Sequence, residues 1–486
     1  MNPRTWAAVA AGRLAGASSR ALRRGGGTAI AGAVAQSIDP ALAAKLARQL
    51  GHGCALVTGT NGKTTTARML AQIAREAGLE PLANPSGSNL MRGVAAALLG
   101  ETNVLGNIRG ATNRIGIFEV DEAVLPQATR ELQPRAIIFT NLFRDQLDRY
   151  GEADAVVAIW QRALRDLPEN STLVLNADDP AIASLSDPAG ASLGVAVGAS
   201  LGDSPAGRTL TYGLEDTSVA TNELEHASDY RFCLSCGEEL AYSANFYGHI
   251  GHWRCPGCDR ARRTPDVRAT AVELAAGEMA AERATRVGIA TPAGELHIEL
   301  PLAGLYNVEN ALAATAGAVS LGLPLDAIER ALRSIQPAFG RQERFQIDGR
   351  EVVVLLGKNP TGLNQVLRTI TANSGGLHLL FFLNDGIADG RDISWIWDSD
   401  YELIAGRAQS VVVSGTRVDE LALRLKYADL AVEPQVAAGT TDALDAAIAQ
   451  TPPGETLYIV PTYTAMLEVR ELLAKRGKRR PFWEER

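Results

Sequence analysis

Long hydrophobic runs, positive net charge and cysteine are all scarce in this sequence. No stretch of about 18 consecutive apolar residues occurs, so we expect no membrane-spanning segment. The net charge of −8 at pH 7 argues against a protein that coats nucleic acid, although it leaves room for a local basic patch. Only five cysteines are present, four of them in two close pairs, which indicates a reducing, cytoplasmic setting rather than a disulfide framework.

The remaining composition is that of a globular protein. With 486 residues, of which 46% are hydrophobic and 21% charged, the chain has material for two or three domains. Residues 5–24 are rich in alanine and arginine and acid-free, like a targeting peptide, but they lack the apolar core of a secretory signal. We favour a surface helix that leads into the fold, with residues 38–50 continuing as unbroken helix. A peripheral contact with the membrane surface stays an open alternative.

The stretch LVTGTNGKTTTARML at residues 56–70 has the arrangement of a phosphate-binding loop. An apolar strand at 55–57 precedes a glycine-rich turn at 59–62, and helical spacing of apolar residues begins at Lys63. In such a loop, backbone N–H groups and the helix N-terminus face an anion. The usual pattern has four residues between its first glycine and Gly-Lys, whereas only two stand here, so this is a shortened variant. An ordinary polar turn is the alternative.

Acidic or polar residues follow several apolar strands in the first 190 residues. The segments RIGIFEVDEA (114–123), PRAIIFTNLFRDQLDRYG (134–151) and TLVLNADDP (172–180) each show this order, and strands alternate with helices between them. Ligand groups in a doubly wound sheet gather where strands end. We therefore expect the following residues on the same edge as the phosphate loop: Glu119, Asp121, Asn141 and Asp145.

A nucleoside triphosphate at this edge requires a magnesium site. Mg²⁺ prefers hydroxyl and carboxylate oxygens, so Thr64 and Glu119 are its predicted ligands. Lys63 is predicted to hold the outer phosphates as a point charge. The neighbouring Asp121 and Glu122 are interpreted equally well as metal ligands or as solvated charges.

Four of the cysteines form the pattern C-x2-C, 18 residues, C-x2-C, at Cys233, Cys236, Cys255 and Cys258. This spacing is typical of a zinc ribbon, and four thiolates complete the coordination of zinc, which favours a structural site. Disulfides are the alternative, which the reducing setting disfavours. His249 and His252 are spare ligands, although sheet or surface histidines are the simpler interpretation. Cys54 precedes the phosphate loop and is expected in the core.

A second alternation of strands and helices runs from about residue 351 to the end, after an alanine-rich helix at 305–323. Pro337 and Gly340 interrupt helical spacing, which predicts a hinge at 336–344. The predicted domains are an N-terminal helical lead at 1–50, a central nucleotide-binding domain at 51–336 with the cysteine insert at about 228–266, and a C-terminal α/β domain at 337–486.

Together these motifs resemble the Mur ligase superfamily, whose members form amide bonds through acyl phosphates. The similarity rests on GTNGKTTT, EVDE, TNLFRDQLDRYG, LNADDP and LYNVENALAA. The later segments LLGKNPTGLNQVL and FFLNDGIADGRDISWIWDSDYE resemble the amidating branch of that superfamily. The resemblance covers about residue 50 to the C-terminus. It implies an α/β fold, with a Mur ligase-type central P-loop ATPase domain, a four-cysteine zinc-ribbon insertion and a C-terminal Rossmann-like α/β domain.

The resemblance also implies the nucleotide contacts. The predicted phosphate-binding residues are Gly59, Thr60, Asn61, Gly62, Lys63, Thr64 and Thr65. Thr64 and Glu119 are implied to hold Mg²⁺, and Asn310 to contact adenine, with Asn141 and Asn307 as lesser candidates. The cofactors are accordingly ATP, Mg²⁺ and Zn²⁺.

In the amidating branch, a glutaminase subunit called GatD supplies a cysteine and a histidine. The resemblance implies that Asp392 of this chain completes that triad across the interface of a heterodimer. Asp385 and Asp389 lie in the same loop and stay as alternatives. Each of the three carboxylates could instead cap its own loop, as is common in turn-rich sequence.

Two departures from the superfamily pattern bear on the substrate. Gln146 replaces a histidine, which puts a second metal contact in doubt. The phosphate loop begins near residue 58, after only a short helical lead, which leaves no room for a domain that binds a uridine nucleotide. We expect a substrate that is not held through UDP, such as a lipid-linked precursor. Glutamine hydrolysis needs an activated cysteine, and neither Cys54 nor the paired cysteines fit, so the ammonia source is expected on another chain.

These observations lead to the hypothesis of an ATP-dependent ligase that amidates the D-glutamate α-carboxylate in the lipid II stem peptide, giving D-isoglutamine, with ammonia from a GatD-like partner. One alternative is a stand-alone Mur or folylpolyglutamate-type ligase that adds an amino acid. Another is a zinc-ribbon ATP-binding regulator that contacts nucleic acid through a basic cluster, composed of Arg254, Arg260, Arg262 and Arg263. Such clusters are more often solvated faces, and the acidic chain disfavours nucleic acid.

Overall fold

The computed structural model describes residues 3–21, 28–84, 88–103, 105–145, 153–165, 167–186, 208–221, 225, 228–275, 284–337, 340–372 and 375–477. Gln146, noted above as a departure, lies outside these residues. Two large sheets and one hairpin organise the described chain. Over these ranges, the helices are too short or too polar to cross a membrane.

The first sheet is built from strands in the N-terminal two thirds of the chain. Its strands are β1 (Cys54–Thr58), β2 (Glu80–Ala83), β3 (Arg114–Glu119), β4 (Ala136–Phe139), β5 (Thr172–Asn176), β6 (Arg208–Leu214), β9 (Val267–Glu273), β10 (Thr285–Thr291) and β11 (Gly294–Leu300), with the hairpin β7 (Ala241–Tyr247) and β8 (Ile250–Arg254) between β6 and β9. The helices of this part are α1 (Pro3–Ala21), α2 (Thr28–Ile38), α3 (Leu42–Ala47), α4 (Lys63–Glu76), α5 (Met91–Gly100), α6 (Leu125–Leu132), α7 (Ala153–Leu164), α8 (Pro180–Ala183), α9 (Leu305–Leu321) and α10 (Leu325–Ser334).

The strand order of this sheet is β11-β10-β9-β6-β5-β4-β1-β3-β2, parallel from β2 to β9 and antiparallel from β9 to β11. Strands β1, β4 and β5 are apolar runs and are buried along their whole length, because helices cover both faces. Ala55 and Val57 pack in the same core as α4 and α9, whereas Leu56 packs with the N-terminal helices. The carboxyl ends of β1, β3 and β4 therefore meet beside the start of α4.

Helices α1 and α2 are packed onto the first sheet. Ala8 and Val9 of α1 are buried in one apolar core with Ala35 of α2 and Leu99 of α5. A Cβ at Gly12 would lie within 2.9 Å of atoms of Ala35 and Leu99, so the helices cross closely at this glycine. The predicted surface helix is thus an integral layer of the fold.

The unbroken helix predicted after α2 is wrong. The chain leaves helical structure at Asp39, and α3 begins only at Leu42. Pro40 has no N–H to continue the helical hydrogen bonds. The carboxylate of Asp39 accepts from the hydroxyl of Thr5 (2.6 Å) and from Nζ of Lys45 (2.7 Å), which stabilises the break.

The hairpin β7-β8 and the paired cysteines form the insert between β6 and β9, which we call the ribbon (residues 228–266). It has a small apolar core of its own, formed by Cys233, Leu240, Trp253 and Cys255. The indole N–H of Trp253 donates to the carbonyl of Ala177 (3.0 Å), just beyond β5. The ribbon is therefore held against the carboxyl edge of the first sheet.

The second sheet uses the C-terminal part of the chain. Its strands are β12 (Arg341–Ile347), β13 (Arg350–Leu355), β14 (Leu377–Phe382), β15 (Ala408–Ser414), β16 (Gln435–Val436) and β17 (Thr456–Pro461), in the order β12-β13-β17-β14-β15-β16. Its helices are α11 (Pro360–Thr371), α12 (Val418–Lys426), α13 (Thr440–Gln450) and α14 (Tyr463–Arg476). All neighbouring strands are parallel except β12 and β13, and an apolar core lies on each face. The predicted fold class is confirmed, while the domain boundaries stay predictions.

Candidate nucleotide and metal sites

The glycine-rich loop joins β1 to α4 and brings its backbone close to other parts of the sheet. Gly59 and Gly62 have φ values of +128° and +85°, a region that favours glycine. A Cβ at Gly59 would lie 2.2 Å from Oγ1 of Thr140, and one at Gly62 would lie 2.0 Å from Oδ1 of Asn310. Both positions require glycine, because a side chain would push the loop away from these neighbours.

Lys63 is the first residue of α4, and its buried side chain points back at the loop. Its Nζ donates to the carbonyl oxygens of Gly59 and Thr60 and lies 2.9 Å from Oε1 of Glu122. Burial alone would lower the pKa of Lys63, but the charges of Glu122 and Glu119 outweigh it and raise that pKa. Lys63 is thus held as a cation.

Solvated charge, one of the two alternatives for Asp121 and Glu122, is wrong. Glu122 and Asp121 are both buried, with 7% and 4% exposure, because the turn after β3 folds back over the phosphate loop. Burial raises the pKa of Glu122 in spite of the nearby Lys63 charge. The site therefore contains two buried carboxyl groups in addition to that of Glu119.

Thr64 and Glu119 meet where α4 begins and β3 ends. The Thr64 hydroxyl donates to Oε2 of Glu119 at 2.8 Å, and both side chains are buried. A hydroxyl and a carboxylate in contact are ligand types that Mg²⁺ prefers. The pair fits the predicted magnesium site, and Thr65 lines the same cavity. These roles stay predictions.

The three predicted asparagines occupy different places around the loop. Oδ1 of Asn141 accepts from the backbone N–H of Asn61 (2.8 Å), so this side chain supports the loop. Asn310 lines the cavity, and its Oδ1 accepts from the Thr66 hydroxyl (3.3 Å). Asn307 contacts Asn310: Nδ2 of Asn310 donates to Oδ1 of Asn307 (3.3 Å). The arrangement orders Asn310 beside the phosphate loop.

A cavity of about 300 Å³ lies over the phosphate loop, and the second sheet supplies part of its wall. Arg341 and Tyr463 line it, as does Lys358, which forms an ion pair with Asp145. The side-chain amide of Asn359 donates to Oδ1 of the loop residue Asn61 (3.0 Å). The cavity is therefore closed by parts of the chain that are far apart in sequence.

The residues of this second wall are not among those predicted from the sequence. Lys358 carried a usable signal, because it follows the apolar strand β13 and ligand groups gather at such strand ends. Tyr463 follows β17 in the same way. Arg341 gave no such signal, since it begins the antiparallel edge strand β12 and reaches the cavity only through the packing of the two sheets.

An ion pair between the buried Glu225 and the partly exposed Arg368 connects the ribbon tip to helix α11. Glu225 Oε1 lies 2.7 Å from Nε of Arg368 on α11, and its other oxygen accepts from the backbone N–H of Gly248 at the tip of the β7-β8 hairpin (3.1 Å). Burial raises the pKa of Glu225 although Arg368 opposes this. The ribbon tip is thus coupled to the helix that lines the nucleotide cavity.

The four ribbon cysteines converge. Their sulfur atoms all lie within 4.8 Å of one another, and all five cysteines of the chain are free thiols. Burial opposes ionisation of Cys233, but backbone N–H groups outweigh it and lower its pKa to about 7. Four sulfur ligands suit tetrahedral zinc, as the spacing predicted. Cys54 is buried, which raises its pKa to about 12 and confirms its place in the core.

The spare histidines lie away from this cluster within the part of the chain that the structure describes. His249 is fully buried beside the rings of Phe143 and Tyr230. A ring nitrogen of His252 lies 2.7 Å from the carbonyl oxygen of Leu214. Both are therefore packing residues of the hairpin.

The basic cluster of the ribbon is only in part a solvated face. Arg254 and Arg263 are exposed, but Arg262 is mostly buried. Its guanidinium lies 2.5 Å from the carboxylate of Asp178 and 2.7 Å from that of Glu215. The predicted surface role of Arg262 is wrong, because the arginine anchors the ribbon to acids of the first sheet.

The three candidate aspartates differ in exposure. Asp385 accepts from the hydroxyl of Thr416 (2.8 Å), and Asp389 is buried and accepts from the N–H and hydroxyl of Thr464 (2.7 and 2.6 Å). Asp392 is exposed, and its Oδ1 accepts from a backbone N–H two residues further on (2.9 Å). Of the three, Asp392 is the most accessible to another protein.

The family models and the sequence relatives place this chain in the Mur ligase class of ATP-dependent ligases. The family model for the Mur ligase middle domain matches residues 57–249, and the model for the MurT ligase C-terminal domain matches residues 356–466. A pseudomurein peptide ligase type C from Methanothermus fervidus aligns with a TM-score of 0.61 at 22% identity, covering 87% of this chain and 78% of that one. MurF from Acinetobacter baumannii aligns with a TM-score of 0.61 at 19% identity, covering 90% and 80%. These likenesses show the fold.

Sequence relatives show which family of the Mur ligase class this chain belongs to. The MurT subunit of lipid II isoglutaminyl synthase (glutamine-hydrolyzing) from Streptococcus pneumoniae is 33% identical over 470 residues, which are 96% of this chain and 97% of that protein. The MurT subunit from Staphylococcus aureus strain COL is 29% identical over 480 residues, 97% and 98% of the two chains. This chain therefore belongs to the MurT family, and the resemblance to the amidating branch is confirmed.

Proposed function

We propose that this chain is the synthetase subunit of a lipid II isoglutaminyl synthase. It uses ATP to amidate the α-carboxylate of D-glutamate in the lipid II stem peptide, and the product is D-isoglutamine. The observation that carries the proposal is the Lys63 phosphate loop in a chain that aligns over 96% of its length with a MurT subunit.

The residues around the loop fit ATP and Mg²⁺. Gly59 and Gly62 let the loop pack closely against Thr140 and Asn310, and Lys63 supplies a buried cation for the outer phosphates. Thr64 and Glu119 would hold Mg²⁺, which when bound neutralises charge that develops on the transferred phosphoryl group. Asn310 beside the loop is the candidate contact for the adenine end.

The reaction requires an activated carboxylate because expulsion of oxide from a free carboxylate is prohibitive. A carboxylate oxygen of the substrate attacks the γ-phosphorus, the bond to ADP breaks, and an acyl phosphate forms. The nitrogen of ammonia then attacks the acyl carbon, inorganic phosphate leaves, and the attacking nitrogen releases one proton to give the amide. Lys63 offsets negative charge at the phosphates, while Arg341 and Lys358 present further cations from the opposite wall of the cavity.

The nitrogen source is a partner subunit of the GatD glutaminase type. Ammonia is mostly protonated in neutral water, so delivery from an adjoining subunit supplies the reactive form. Asp392 is the residue that we assign to the partner's Cys-His pair, because it is exposed while Asp389 is buried and bonded to Thr464. We place the heterodimer in the cytoplasm, at the inner face of the membrane that holds lipid II. The ribbon cysteines would hold a structural zinc ion.

The test is the mass of the product. The purified chain is incubated with ATP, Mg²⁺ and lipid II, first with ammonium chloride and then with glutamine, each with and without a co-expressed GatD-like subunit. We expect the mass change of a hydroxyl replaced by an amino group with ammonium in all cases, and with glutamine only when the partner is present. Addition of a whole amino acid to the substrate would instead identify a stand-alone ligase.

The triad assignment has its own test. Asp392→Asn should abolish glutamine-driven amidation, because the partner's histidine loses its carboxylate, while amidation with ammonium persists. Asp385→Asn is the matched control in the same loop. Loss of glutaminase activity in the control but not in Asp392→Asn would move the role to Asp385.

A further inference from the structure

The outward side of α1, which we call the α1 outer face, is apolar. Its exposed members are Pro3, Trp6, Ala7, Leu14 and Ala17. At helical spacing these positions occupy a sector of about 100° around the helix axis. Trp6 is 55% exposed and Leu14 is 70% exposed, which is unusual for large apolar side chains on one short surface helix.

Two exposed arginines border this face, one on each edge. Arg4 lies on one side of the sector and Arg13 on the other. Each is oriented by a backbone carbonyl, since Nε of Arg4 donates to the carbonyl oxygen of Ile38 (2.6 Å) and Nη1 of Arg13 donates to that of Thr102 (3.2 Å). The positive charges therefore keep a fixed place beside Trp6 and Leu14.

The orientation of α1 is also fixed. Thr5, Ala8 and Val9 are buried on the opposite side, and Gly12 packs against α2 and α5. The α1 outer face thus cannot turn inward to complete the core of the first sheet. Its apolar area is available for another surface.

The charge of the N-terminal segment indicates what that surface is. Residues 1–38 contain five arginines and no acidic residue, while the whole chain has a net charge of −8, so residues 39–486 carry −13. The segment is thus basic in sequence, and two of its arginines, Arg4 and Arg13, border the exposed tryptophan and leucine. Basic residues around an apolar helix face match anionic lipid headgroups, and tryptophan is favoured at the membrane–water interface.

We propose that the α1 outer face docks on the anionic surface of a lipid bilayer. Trp6 and Leu14 enter the headgroup region, and the bordering arginines contact lipid phosphates. With so small an apolar area the attachment is weak and reversible. The purpose of this docking rests on the proposed function. A lipid-linked substrate is confined to the membrane surface, so an enzyme that binds the same surface meets its substrate there.

The test measures flotation of the full-length chain, alone and in complex with its glutaminase subunit, with lipid vesicles. Vesicles that contain phosphatidylglycerol are compared with vesicles of pure phosphatidylcholine. We expect binding to the anionic vesicles only, and a decrease when NaCl is raised from about 0.1 M to about 0.5 M. Trp6→Ala combined with Leu14→Ala should weaken the binding about tenfold. Phe232→Ala combined with Leu423→Ala removes an exposed aromatic and an exposed leucine elsewhere, and should leave binding unchanged.

Activity separates this inference from the proposed function. Both double variants should amidate a lipid-free stem peptide with ammonium at the wild-type rate, whereas the α1 variant should be slower on lipid II embedded in anionic vesicles. Equal flotation of wild type and the α1 variant would overturn the docking. So would a dimer in sedimentation that the α1 variant dissolves, since a second copy would then cover this face. An inactive wild type that still floats would refute the proposed function and leave the docking intact.

Discussion

The ribbon and the nucleotide cavity collect their residues from very different lengths of chain. All four cysteines of the ribbon come from residues 233–258 and converge within 4.8 Å. The cavity combines loop residues 60–65 with Lys358 and Tyr463, which follow strands β13 and β17 of the second sheet. A site made within one hairpin is set by local spacing, whereas a site between two sheets depends on how those sheets pack. Changes at the two places should therefore differ in kind.

The largest effect is expected at the centre of the cavity. Lys63→Ala removes the cation that we assign to the outer phosphates, so the amidation rate should fall about 1,000-fold or more. The measurement is product formation with ATP and ammonium. Lys475→Ala, which removes an exposed lysine paired with Glu471, is the control and should leave the rate unchanged. Full amidation by Lys63→Ala would contradict the mechanism.

The ribbon should respond by losing metal and stability. Cys255→Ser removes one of four sulfur ligands, so the zinc content of the purified chain should fall towards zero, and the Tm should fall by about 5 °C or more. Zinc is measured by mass spectrometry and Tm by calorimetry. Cys54→Ala is the control, since this buried thiol lies outside the cluster and should leave zinc content unchanged. Full zinc content in Cys255→Ser would refute the four-sulfur site.

The connection between the two regions should have an intermediate effect. Arg368→Met leaves the buried Glu225 carboxylate without its cation, and we expect a loss of about 2–3 kcal/mol in the free energy of unfolding. Urea denaturation measures it. Arg330→Met removes an exposed arginine paired with Glu76 and Asp326, and should cost at most about 0.5 kcal/mol. Similar losses of unfolding free energy in the two variants would show that the Glu225–Arg368 pair stabilises the fold no more than an exposed ion pair does.

The smallest effect concerns a buried acid near the phosphate loop. Burial raises the pKa of Glu309 well above 4.5, so its stabilising contribution is full below pH 4.5 and is lost as the pH rises. Glu309→Gln keeps the amide partner Asn176 and removes this ionisation. Between pH 5 and pH 8, the free energy of unfolding of the variant should exceed that of wild type by about 1 kcal/mol, as measured by urea denaturation. Glu471→Gln, at an exposed carboxylate, should show no such gain, and an equal gain there would refute the role of burial.

These differences explain which parts could be predicted from the sequence. The phosphate loop and the sulfur cluster could be predicted, because each is recognised from the spacing of a few nearby residues, such as Gly59 and Lys63 or the cysteine pairs. Glu122 could not, because only the fold of the turn after β3 shows that it is buried against Lys63. The break before α3 is predictable from Pro40, although the sequence on either side of it is helix-forming. The burial of Arg262 depends on Asp178, which is distant in sequence.

The contact between Lys63 and Glu122 has a consequence for ligand selection. Nζ of Lys63 donates to two backbone carbonyls and is paired with the carboxylate of Glu122, so we expect a phosphate that reaches it to displace Glu122. Binding at this point is an exchange of anions, and a ligand gains only what exceeds the displaced carboxylate. A singly charged anion has little advantage, whereas a polyphosphate brings several charges and also reaches the N-terminus of α4. We therefore expect the ion pair to favour highly charged ligands over weakly charged ones.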